Sequence, residues 1–203
     1  MGRAVLAHDV ETSDGLPAVY APDRAAWRAW LVRNGERSRG AWLVYYKLGS
    51  GKSRVAYADA VEEALCFGWI DSRPNKIDDE RYRQLFTPRK AGSAWSRINK
   101  ERAARLIEAG LMTPAGLAKI EAAQADGSWG RLDAVEAFEM PDDLRVALEA
   151  APPAMEHFEA FAATSRKGML FWVTQAKRPE TRARRIAEVV SNALEGRRAG
   201  PFA

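Results

Sequence analysis

The sequence predicts an α+β chain, with a small antiparallel sheet and packed helices in the N-terminal part and an all-helical C-terminal module. Three observations lead to it. Trp42 to Lys47 is short and rich in aromatic and β-branched residues, as strands are, and Gly68 releases the chain into two further short stretches, 69–75 and 82–88. Asp78-Asp79 lies between the last two, so they form a hairpin. Beyond Met140-Pro141 such runs stop and segments of helical period follow one another, which places a boundary between an α+β domain at 1–138 and a helical domain at 139–203.

The elements follow in order. A first helix is expected over 22–34, since Trp27, Trp30 and Leu31 share a face and Asn34-Gly35 supplies a stop. The strand at Trp42 to Lys47 runs into Gly49-Ser50-Gly51, a turn. A second helix covers 57–67, with Tyr57, Val61, Ala64 and Leu65 on one stripe, and Gly68 releases the chain into the hairpin. Pro74 puts the end of the first hairpin strand at an edge or outside the ladder. Helical spacing resumes at Ser96 with Ile98, Ala103, Leu106 and Ile107. Thr113-Pro114 then opens a helix to about Asp126, with Thr as N-cap and Pro in the first turn. Short helices are expected over 142–150, 153–162, 165–176 and 179–194.

Composition bounds the function. At 203 residues, 47% hydrophobic and 29% charged, the chain is ordinary globular protein, without an apolar run long enough to span a membrane. The N-terminus carries too few apolar residues before Asp9 for an export signal, and Leu6 stands where N-myristoylation needs Ser or Thr. With one cysteine the chain forms no internal disulfide, and the expected location is the cytoplasm. The net charge of +4 is uneven: nine Lys or Arg against Glu180, Glu188 and Glu195 lie between Arg166 and Arg198.

Two motifs resemble a known family. Glu63-Ala-Leu-Cys-Phe-Gly-Trp-Ile-Asp-Ser72, with Phe86-Thr-Pro-Arg89 and Ser93-Ala-Trp-Ser-Arg-Ile-Asn99, is similar to the YdeI/OmpD-associated proteins, also called bacteriocin-protection proteins. The segment from about Pro141, above all Ala176 to Ile186, looks like that family's small helical module. The resemblance runs from roughly Trp30 to Glu195. It implies a link to antimicrobial-peptide or envelope-stress resistance and to an envelope protein, and no reaction attached to particular residues.

The stretch 63–99 holds the candidate site. Cys66 follows Glu62 by one turn, and a neighbouring carboxylate suppresses the reactive thiolate, so it reads as a packed thiol. In an extended strand Trp69, Asp71 and Arg73 share one face, while the partner places Tyr82, Gln84 and Phe86 on one side and Arg83, Leu85 and Thr87 on the other. Such a face is either a ligand cleft or a half-buried sheet fixed by an Asp-Arg pair. Asn99 falls on the stripe of Ala103, Leu106 and Gly110, so its amide is expected to turn inward, either clamping backbone near Asp71 and Phe86 or facing a ligand. The ligand-binding candidates are therefore Trp69, Asp71, Arg83, Arg89, Trp95 and Asn99, holding a small molecule or peptide segment. An alternative is an enzyme with Asp71 as acid or base and Arg89 as anion holder.

A second alternative rests on Arg182, Arg184 and Arg185, outward on a helix that follows a short turn and so resembles a DNA-reading second helix. Its turn lacks Gly and no Asn or Gln opens the helix. Nucleic acid is the weaker reading beside a solvated charged face or an arginine-carboxylate dock onto the N-terminal domain. His8 and His157 stand far apart with no Cys at ligand spacing, so no metal site is expected. Gly51-Lys52-Ser53 ends like a P-loop, but Tyr46 occupies the position of its first Gly. No cofactor is implied.

Overall fold

A computed structural model of the protein describes residues 15–200, so the N-terminal readings, His8 included, lie outside the described residues. The packing breaks between Trp129 and Gly130 into two compact units.

The N-terminal unit is built from strand β1 (Ala18–Tyr20), helix α1 (Arg24–Asn34), β2 (Ala41–Tyr46), α2 (Tyr57–Cys66), β3 (Trp69–Lys76), β4 (Arg81–Pro88), α3 (Arg97–Glu108) and α4 (Pro114–Ala125). Local chemistry sets several boundaries. The Asp23 carboxylate caps α1 by accepting the Ala26 N–H at 2.8 Å, and Ser96 and Thr113 cap α3 and α4 in the same manner. Between β2 and α2 the glycine-rich stretch makes a short 3₁₀ turn at Leu48–Ser50, and Gly51 takes the left-handed conformation, φ 68°.

The sheet order is β1-β2-β4-β3. The hairpin β3–β4 and the β2–β4 pair are antiparallel, as expected, while β1 adds a parallel pair beside β2 that three residues were too few to announce. Pro74 sits within β3, and it is tolerated because β3 is an edge strand.

Pairing fixes the faces. Ala41, Leu43 and Tyr45 stand opposite Phe86, Gln84 and Tyr82 on the side that carries the core. Trp27, Trp30 and Leu31 from α1, Val61, Leu65 and Cys66 from α2, and Ala103 and Leu106 from α3 close over it. The register of β3 shifts between Asp71 and Pro74. This irregularity reverses the expected alternation: Arg73, expected beside Asp71, instead reaches over Trp42, whose neighbours in β2 place it on the opposite face.

The C-terminal unit is all-helical: α5 (Asp133–Glu136), α6 (Asp142–Glu149), α7 (Ala154–Ala160), α8 (Ala163–Thr174) and α9 (Pro179–Leu194). Its own core gathers Leu144, Leu148, Phe158, Leu170, Val173 and Val189. His157 is spent on structure, its Nδ1 lying 2.8 Å from the Ala193 carbonyl. No described helix is long and apolar enough to cross a membrane.

Candidate functional site

The junction where β4 ends and α3 begins buries a cation, Arg89. Arg89 follows Pro88 directly, and its backbone N–H still bonds the Gly68 carbonyl at 2.9 Å, which extends the hairpin by one residue. The residue is 3% exposed, and its guanidinium lies face-on to Trp95, 3.7 Å from the ring centre. One N–H reaches the Ala94 carbonyl at 3.3 Å, whereas Nε is buried without any acceptor. Among the described residues no carboxylate ion-pairs with Arg89. Burial pulls its proton affinity down to about 10, against a smaller upward pull from Asp71.

Trp95 is itself buried and tilts against Trp129 with ring centres 4.9 Å apart. Around the pair lies a cavity of about 70 Å³, lined by Arg89, Lys90, Trp95, Lys119, Asp126 and Ser128 among others. Asp126 turns its oxygens to backbone, accepting the Gly92 N–H at 2.9 Å and the Ser128 N–H at 2.8 Å.

Asp71 is not part of that lining but pulls on the Arg89 charge. It accepts the Tyr57 hydroxyl at 2.5 Å, and that bond, after burial itself, raises the tyrosine to about 12. Arg102 exerts an opposing pull on Tyr57 and donates to the Asn99 amide oxygen at 3.1 Å. Asp71, Arg89, Asn99 and Trp95 therefore belong to one neighbourhood, linked through Tyr57 and Arg102.

The other two candidates lie elsewhere. Trp69 is a core residue: its indole N–H bonds the Gly35 carbonyl at 3.0 Å and its ring meets Trp30 edge-on at 5.9 Å. Arg83 stacks on Trp42 at 4.3 Å, on the sheet face opposite Asp71. Asn99 departs from the inward clamp: it is half-buried and takes a side-chain donor on its own helix, since it opens α3 where the face turns from core to rim. Cys66 is fully buried, and burial, followed by the Glu63 carboxylate, raises its thiol. The carboxylate acting on it is Glu63 rather than Glu62, which faces Arg24 and Arg105.

Sequence reasoning missed Tyr57, Arg102, Lys119 and Ser128. Tyr57 was placed on the core stripe of its helix, but it opens α2 and is 45% exposed. The signal available for Ser128 was weak, a single serine in an Asp-Gly-Ser loop.

The basic helix α9 spends most of its arginines internally. Arg182 grips Asp143 through two bonds, 2.6 and 2.8 Å, and Arg185 donates to the Trp172 carbonyl at 2.5 Å while stacking on that ring. The expected arginine-carboxylate dock exists, but its carboxylate belongs to the helical unit and not to the N-terminal one. Of the three only Arg184 is fully exposed.

An α+β unit whose buried Arg89 has no ion-pair partner among the described residues and a separate helical module define a two-part chain, and comparison with known families divides it the same way. Residues 137–196 match the family described as "Bacteriocin-protection, YdeI or OmpD-Associated", so the helical unit carries a domain of that family. Residues 19–119, which include the stretch 63–99, match a "Domain of unknown function (DUF8412)". The resemblance expected from 63–99 thus rests on a separate family, and the bacteriocin-protection relationship on the helical module. No curated protein and no solved structure is significantly similar to the chain.

Proposed function

We propose that this is a cytoplasmic binding protein of the bacteriocin-protection kind, whose N-terminal unit takes up a small molecule or peptide segment by an anionic group at Arg89. Trp95 forms the floor of the site, and Asp71 and Asn99 lie in its neighbourhood. The observation that carries the reading is a guanidinium 3% exposed, stacked on Trp95, with Nε lacking an acceptor and no carboxylate paired to it among the described residues. Burying a charge is costly; the Trp95 face and the Ala94 carbonyl offset that cost without neutralising the charge, and a bound anion would supply the counter-charge that no described carboxylate provides. The helical module supports the protective role at the level of its family alone.

Protection of a deletion strain against an antimicrobial peptide tests the proposal. Wild type and R184A are expected to restore survival and R89M to fail at equal protein level; full protection by folded R89M refutes the reading. A second reading makes Asp71 an acid or base acting on the same ligand, favoured by its short bond from Tyr57 and its electrostatic reach to Arg89. Metabolite profiles restored fully by D71N count against it.

A further inference from the structure

Arg89 is not the only orphan at its cavity. Ser128, 1% exposed, lines the same space, and its hydroxyl is buried with no hydrogen-bond partner among the described residues. Nearly all buried polar side-chain atoms find partners, so two unsatisfied ones around one small cavity mark a place where an acceptor is missing. The charge points the same way. Arg89, Lys90 and Lys119 line the cavity against a single carboxylate, Asp126, which is already turned to the N–H groups of Gly92 and Ser128.

Size narrows the class. A cavity of about 70 Å³ has room for a few waters or one compact polyatomic anion. A guanidinium fork matches the paired oxygens of phosphate as well as carboxylate. A tetrahedral anion offers further oxygens in other directions, which suits donors that come from separate elements: Arg89 after β4, Lys119 on α4 and Ser128 beyond α4.

We propose that this cavity is a site for a tetrahedral oxyanion, a phosphate or sulfate group, with Arg89 as its central cation, the Ser128 hydroxyl as a second donor, and Lys90 and Lys119 as outer charges. The proposal rests on the reading that Arg89 holds the anionic part of a ligand, and it names the chemistry of that part.

Calorimetric titration of the full-length protein in a low-chloride buffer tests it, with inorganic phosphate, sulfate, phenyl phosphate and acetate as probes and wild type, R89M, S128A and K119M compared. Saturable binding of phosphate or sulfate is expected, weakened about tenfold or more in R89M and about fivefold in S128A, as loss of a charged and a neutral hydrogen bond implies. K119M, away from the core, should show a smaller loss. Tighter binding of phenyl phosphate than of phosphate supports the site and identifies a phosphorylated ligand; the reverse order supports it and identifies the free ion. Acetate binding that depends on Arg89, without phosphate or sulfate binding, overturns the oxyanion assignment and leaves the Arg89 reading standing. If no probe binds in an Arg89-dependent way, both fall.

Discussion

Replacing Arg89 with Met separates a charge kept for a ligand from one kept for stability. Holding the guanidinium near 10, well below its usual value, corresponds to about 3 kcal/mol against the charged form. The residue is almost wholly buried, so solvent screening does not erode that figure. Two favourable contacts oppose it: a desolvated cation on an indole face contributes about 2 kcal/mol, and a bond from a charged donor to a carbonyl about 1.5 kcal/mol. The gain and loss nearly cancel, and Met retains much of the packing on Trp95. R89M should therefore lie within about 1 kcal/mol of wild type when no ligand is present, whereas deleting one member of a buried internal ion pair costs about 3–5 kcal/mol. Urea unfolding followed by tryptophan fluorescence in a phosphate-free buffer reads the right part of the molecule, because Trp172 alone of the seven tryptophans lies beyond Trp129. A loss above about 3 kcal/mol would refute the reasoning and make Arg89 a structural cation, by the same ion-pair standard.

Three further outcomes follow from the geometry. Gly116→Ala, a change that stabilises most helices, should here cost at least about 2 kcal/mol, because its Cβ would stand 2.3 Å from the Cys66 carbonyl oxygen; thermal melting checks it, and an unchanged or raised Tm rejects the close contact. Tyr57 is held at about 12 in the folded chain against an unfolded value of about 10. Its contribution is therefore complete below pH 10 and lost as the pH rises toward 12, so the alkaline loss of stability should be smaller in Y57F than in wild type; identical pH profiles would show that burial and the Asp71 bond do not hold Tyr57 above its ordinary value. Cys66, with its thiol raised by burial and by Glu63, should react with a disulfide reagent only on unfolding; rapid modification of the native protein would reopen a catalytic role for it.

Legibility in the sequence followed the range of the interaction concerned. Caps and stops are local, so Thr113-Pro114 marked α4, and the bounds of α9 agree to the residue. The parallel strand β1 is three residues long and exists only through β2, which no local signal contains. The hairpin was visible, yet the register shift after Asp71 was not, and it decides which side Arg73 serves. For the site, the sequence gathered Asp71, Arg89, Trp95 and Asn99 through their nearness in the chain. It also drew in Trp69 and Arg83, because a ring and a guanidinium look the same in sequence whether they pack in a core, cover the far face or meet a ligand. Ser128 stayed hidden, since its value lies in a missing hydrogen-bond partner, and that is a property of the fold around it.

The most direct measurement concerns the Arg89 Nε–H itself. In proton–nitrogen NMR spectra of the arginine side chains, this buried N–H without an acceptor should shift and exchange more slowly with water as inorganic phosphate is added, tracking saturation of the site. A resonance that stays in place while exposed arginines such as Arg184 move would contradict the account, because the anion would then be meeting the surface and leaving the buried guanidinium alone.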